Sequence, residues 1–234
     1  FPPIFSILEN TESTLKSISE FTYCVRKRKH PKINADHTKV ENNDLAAEAI
    51  LALCTKVLWK SPDLQKVMRE LTGELPNSDR AKRLLLAMGV PGILGKHDKK
   101  NTFIPKERGA HEESKKLEIF SEERTNSEQE ISIGSQDKKT RTCEQLCNYI
   151  NRCLNHEGRE LTESAVSDLQ EYVGEIIDNA EWHTKDKIWY VQGFMDANED
   201  NHYCDIAIFN FGPSIGKTIE KTIGANANAK SISA

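Results

Sequence analysis

Glu175 and Asn179 stand four residues apart in the stretch Glu175-Ile-Ile-Asp178-Asn179-Ala180-Glu181-Trp182-His183. On a helix, that spacing sets a carboxylate and a carboxamide side by side on one surface. The pair suits magnesium–nucleotide chemistry. An amide oxygen can join phosphate oxygens and waters around a hard cation that prefers oxygen ligands. A carboxylate one turn away can orient or deprotonate a water aimed at a terminal phosphate. The plainer alternative is the wet side of an amphipathic helix, and taken alone the Glu-x-x-x-Asn spacing fits that alternative better.

The residues C-terminal to the pair give it weight. Lys187-Ile-Trp-Tyr-Val-Gln-Gly-Phe194 is rich in β-branched and aromatic residues and predicts a strand. A polar turn over residues 196–202 leads to a second strand, Tyr203 to Phe209, and then to Asn210-Phe211-Gly212-Pro213-Ser214. The order is helix, strand, polar turn, strand, glycine turn, which brings the polar helix set and the glycine turn to the same end. Gly216-Lys217-Thr218 looks like the end of a phosphate-binding P-loop. The glycine required upstream is replaced by Phe211, so that motif is set aside.

On these residues the chain resembles the GHKL superfamily of ATPases, which includes gyrase, the large heat-shock chaperones, sensor histidine kinases and mismatch-repair ATPases. The family's first motif, a helical Glu followed by Asn-Ala and often His, is matched by Glu175, Asp178, Asn179, Ala180 and His183. Its second motif, Asp-x-Gly-x-Gly after a strand, is matched imperfectly by Asn210, Gly212 and Ser214. The likeness covers residues 160–216.

The resemblance implies ATP and Mg2+ as cofactors, with Asn179 as the magnesium ligand and Glu175 as the residue that positions or activates water. Kinase-type members use the same helix without relying on hydrolysis, so Glu175 does not fix the reaction. Asp178 and His183 would line the phosphate side or support the helix end. Gly212 would let the backbone approach the adenine, where a side chain would intrude. Asn210 takes the place of the family aspartate that accepts from the adenine amino group; an amide oxygen accepts too, without the charge that strengthens the bond. Ser214 replaces the second glycine.

The elements that must position these residues are legible in the periodicity. Thr162 is the expected cap of a long helix whose apolar positions are Ala165, Val166, Leu169, Tyr172, Val173, Ile176, Ile177 and Ala180. From Thr140 a preceding helix carries Cys143, Leu146, Cys147, Tyr149, Ile150 and Leu154 and ends near Gly158. Upstream, Asn43-Asp44 caps a helix through Ala47, Ile50, Leu51, Cys54, Val57 and Leu58. A helix with Pro62 in its first turn and another after Asn77-Ser78-Asp79 come next, the latter closed by Gly89, Pro91, Gly92 and Gly95. The expected class is α+β: a helical N-terminal region over residues 1–95, a polar connector over 96–139, and a partial α/β sandwich of GHKL ATPase type over 140–234. Within the connector, Leu117-Glu-Ile-Phe120 and Ile131-Ser-Ile133 alternate like strands and are candidates for a hairpin. The same composition equally fits a mobile connector.

Composition narrows the partners. Charged residues make up 29% and apolar ones 37%, with a net charge of −4, so neither nucleic acid nor an anionic membrane is the expected partner. The basic run Arg26-Lys27-Arg28-Lys29-His30-Pro31-Lys32 reads more readily as a solvated loop than as a phosphate-contacting patch. No apolar run approaches the roughly 20 residues of a membrane helix. Cys24, Cys54, Cys143, Cys147, Cys153 and Cys204 are irregularly spaced, which fits small buried hydrophobes in a reducing, cytoplasmic setting better than a disulfide framework. Cys143 and Cys147 share a helix face but lack the second ligand pair of a structural zinc site. None of the seven histidines sits in a sensor-kinase acceptor context, so a magnesium-dependent ATPase is preferred to a histidine kinase. The alternatives are an inactive nucleotide-sensing module acting through a protein partner or homodimer, and a helical interaction protein that binds no nucleotide.

Overall fold

A computed structural model of the chain describes residues 1–27, 33–89, 117–124, 135–183, 189–197 and 203–210. The protein is of mixed α+β class and divides into two compact units, Phe1–Leu117 and Glu118–Ala234.

The N-terminal unit contains β1 (Ile4–Phe5), α1 (Thr11–Lys27), β2 (Asn34–Asp36), β3 (Asn42–Asn43), α2 (Leu45–Lys60), α3 (Gln65–Arg69), β4 (Thr72–Glu74) and α4 (Asp79–Ala87). The strands form two separate parallel pairs, β1 with β3 and β2 with β4. They add short paired strands to the helices expected over residues 1–95. Elements of two or three residues are too short to display an alternation of apolar and polar side chains, so periodicity misses them. The Pro62 segment is also tighter than expected, with one 3-10 turn over Pro62–Leu64 before the five-residue α3. Phe5, Phe21, Val25, Leu51, Leu58, Met68 and Leu85 share one core.

Asp44 organises the start of α2. One carboxylate oxygen accepts from the Ala47 amide at 2.7 Å, satisfying an otherwise orphaned helix N–H. The other accepts from Ser6 Oγ at 2.6 Å and from the Leu8 amide at 3.0 Å, tying the turn after β1 to the same helix. Ser78 caps α4 through the Ala81 amide, and beyond its end Gly89 takes a left-handed φ of 76°.

In the C-terminal unit, β5 (Leu117–Arg124), β6 (Trp189–Asp196) and β7 (Asp205–Phe209) form a sheet in the order β5-β6-β7, with β6 and β7 antiparallel. Helices α5 (Ser135–Asn155) and α6 (Glu163–His183) pack against each other. Thr162 Oγ1 accepts from the Ala165 amide at 3.2 Å, so the cap of α6 stands where the sequence places it. Helix α5 begins at Ser135, inside the stretch taken as connector, because Asp137-Lys-Lys139 continues the helical register toward the N-terminus. The strand Leu117–Phe120 extends to Arg124 and flanks β6, where Gln192 Nε2 donates to Ser121 Oγ at 2.9 Å. Its expected hairpin partner, residues 131–133, lies outside the described residues.

Every residue of β6, the middle strand of the sheet, is buried except Gln192. Trp189, Val191 and Met195 meet Leu146, Tyr149, Val173 and Ile177 of the two helices in one core. On the opposite face, Tyr190 stacks on its register partner Phe209, with ring centroids 5.6 Å apart. Among the described residues no helix is long and apolar enough to cross a membrane.

Candidate functional site

Helix α6 turns Val173, Ile177 and Ala180 toward the core and leaves Glu175 and Asn179 exposed. At about 100° per residue, Glu175 and Asn179 lie about 40° apart on one surface, nearly opposite the buried stripe. An exposed carboxylate and carboxamide supply the hard oxygen donors that magnesium takes, with positions left for waters and phosphate oxygens. Among the described residues there is no cluster of three His, Cys, Asp or Glu that could hold a metal by itself.

Asp178 points to a different flank. Its two oxygens accept from Lys139 Nζ of α5 at 2.8 and 2.9 Å. The lysine side chain retains 17% of its exposure and the aspartate 50%, so the cation is the more covered partner. Lys139 is the residue at this site that sequence reading missed. It sits in a polar run, but it lies four residues before Cys143 and seven before Leu146, the step that extends the buried stripe of α5 backward.

The end of β7 reaches the same turn of α6. Asn210 Nδ2 donates to the Ala180 carbonyl at 3.3 Å, which brings the residue after β7 to the last turn of the helix, next to Asn179. Glu181 anchors the neighbouring position, since its Oε1 accepts from Trp189 Nε1 at 3.0 Å. His183 is the final residue of α6. Gly212 and Ser214 lie outside the described residues.

The structure thus brings Glu175, Asp178, Asn179 and Asn210 to one end of α6, with Lys139 joining them from α5. Comparison with family models, curated proteins and solved structures finds no match to this chain. The functional reading therefore rests on the residues and their arrangement.

Elsewhere, Arg26 lines a cleft of about 440 Å3 in the N-terminal unit together with Val57, Leu58, Ser61, Asp63 and Leu64. Residues 28–32 of the basic run lie outside the described residues.

Proposed function

We propose that the C-terminal unit is an ATP-binding domain of GHKL type and that the intact protein is a magnesium-dependent ATPase. One observation carries the reading. The Glu175–Asn179 pair is solvent-facing on α6, and the end of β7 docks on that helix through Asn210. Those are the two motif positions that the family resemblance pairs, one from a helix and one from the end of a strand.

In this reading Asn179 supplies its amide oxygen to the cation, and Glu175 orients the attacking water or holds its proton. Bound magnesium would neutralise charge on the phosphates. The helix core keeps the two side chains in register, because Ile177, fully buried on the opposite side of the helix, fixes the rotation of α6. Lys139 holds Asp178 to the α5 flank, leaving the outer surface to Glu175 and Asn179.

Calorimetric titration of the intact protein with ATP and magnesium tests the binding. Saturable binding that is weakened at least tenfold by Asn179→Ala is expected. Identical binding by both proteins, or none by either, removes the nucleotide reading. Phosphate release then tests the reaction, with Glu175→Ala expected to lose most of the rate and keep its affinity.

A second reading, a nucleotide sensor without turnover, is favoured by one feature. Asn210 directs its donor group to a helix carbonyl and carries no charge for the adenine amino group. Magnesium-dependent binding with no phosphate release would select it.

A further inference from the structure

Arg26, in the last turn of α1, and Asp63, in the 3-10 turn after α2, line the same cleft of about 440 Å3. Among the described residues no ion pair involves Arg26, so the two opposite charges share the cleft without neutralising each other. The other described lining residues are Val57, Leu58 and Leu64, with the hydroxyl-bearing Ser61. Val57 keeps 49% of its surface exposed, so apolar area is open to whatever enters. The wall is fixed from behind. Leu58 belongs to the N-terminal core and Leu64 packs against it. The Ser61 amide donates to the Leu58 carbonyl at 3.2 Å, and the Ser61 carbonyl accepts from the Leu64 amide at 3.0 Å.

We propose that this cleft binds a free apolar α-amino acid, of the class of leucine, isoleucine, valine and methionine. The guanidinium of Arg26 offers the planar fork of donors that a carboxylate fits bidentately. Asp63 offers acceptor oxygens for an ammonium. It takes part in another interaction as well, and a carboxylate has lone pairs for more than one donor. Ser61 caps the C-terminus of α2, where the negative end of the helix dipole adds to the attraction for a cation. A simple carboxylate would be opposed by Asp63, and a simple amine by Arg26. A zwitterion satisfies both. An α-amino acid carries its two charges one carbon apart with the side chain on that same carbon, so one small molecule meets both charges and the apolar wall. The volume falls within the range of small-molecule sites. The site lies wholly in the N-terminal unit and stands whether or not the C-terminal unit binds nucleotide.

Titration of the intact, isotope-labelled protein with L-leucine, followed through its amide resonances, tests the site. Saturable shifts are expected at Leu58, Ser61 and Leu64. Isocaproate lacks the ammonium and leucinamide lacks the carboxylate, and each should bind about tenfold more weakly or worse. Arg26→Gln should erase the advantage of leucine over leucinamide, and Asp63→Asn its advantage over isocaproate. Both side chains are exposed, so neither change disturbs the core. Lys27→Gln, adjacent in sequence but not among the lining residues, should bind leucine as the wild type does. The proposal is overturned if leucine, isoleucine, valine and methionine all fail to give saturable shifts. Isocaproate or leucinamide binding as well as leucine overturns it equally, as does full binding by Arg26→Gln. Tighter binding of leucyl-leucine than of leucine would assign the cleft to a peptide and overturn the free amino acid.

Discussion

Asn210 closes the C-terminal end of α6 by donating from Nδ2 to the Ala180 carbonyl at 3.3 Å. Ala180 lies in the last turn of the helix, at the negative end of its dipole. An amide at position 210 has a donor to give, whereas a carboxylate is acceptor-only and would face both that oxygen and the negative end of the helix dipole. The amide at position 210 therefore has a structural reason. Asn210→Asp should destabilise the protein by roughly 1–3 kcal/mol, and by more than Asn210→Ala. Urea unfolding of the three proteins checks the order; an aspartate variant as stable as wild type would remove the capping role.

The Lys139–Asp178 pair should show an asymmetric response to substitution. Asp178→Asn leaves the more covered lysine without its anionic partner, while Lys139→Met leaves a half-exposed aspartate that water can solvate. Asp178→Asn is expected to cost more stability. The coupling energy from a double-mutant cycle should be about 1 kcal/mol or less and should shrink in high salt, because Asp178 remains half in water. A coupling unchanged by salt would mean that the pair is more enclosed than its exposure indicates.

The caps of α2, α4 and α6 were legible in the sequence because a capping side chain acts on amides only two or three residues away. Asp44, Ser78 and Thr162 all occupy the positions their types suggest. The rotation of α6 was legible in part: steps through Val173, Ile177 and Ala180 define one buried stripe, whereas Tyr172 and Ile176, read on the same face, are exposed. The first strand continues to Asp196, two residues past Phe194, and the second begins at Asp205, where its pairing with Phe194 starts. The partners of Asp178 and Asn210 were not legible. Lys139 precedes Asp178 by 39 residues and Asn210 follows Ala180 by 30, and only tertiary packing brings such positions together.

Gly193 should tolerate no side chain. A Cβ there would come within 2.6 Å of Tyr149 Cε1, 2.7 Å of Tyr149 Cζ and 3.1 Å of Phe120 Cβ. Tyr149 cannot swing aside cheaply because it is fully buried and its ring leans on Phe120 at 5.6 Å. Gly193→Ala is expected to cost about 1–3 kcal/mol, the usual range for overpacking a filled core. Tyr149→Leu vacates the ring edge and should recover part of that loss in the double variant. Additive losses in thermal or urea unfolding would count against the clash.

Two buried titratable groups in the N-terminal unit should give it opposing pH responses. Glu48 is fully buried, with Oε1 accepting from Asn43 Nδ2 at 2.7 Å and Oε2 unpartnered. Desolvation raises its pKa from 4.5 to about 8, so the native state favours the protonated acid. Its stabilising contribution is therefore full below pH 4.5 and is lost as pH rises to about 8. His37 is buried against the Phe1 ring at 4.1 Å, and desolvation lowers its pKa from 6.5 to about 4. The native state favours the neutral ring, so that contribution is full above pH 6.5 and is lost as pH falls to about 4. Between pH 4.5 and 6.5 the two slopes oppose each other and stability should be nearly flat, falling on either side. Hydrogen exchange of the α2 amides reads this unit directly. In Glu48→Gln the alkaline fall should disappear, leaving protection that rises from pH 4 to 6.5 and then holds level once intrinsic exchange is divided out. An alkaline fall that persists in Glu48→Gln would place its origin in another group.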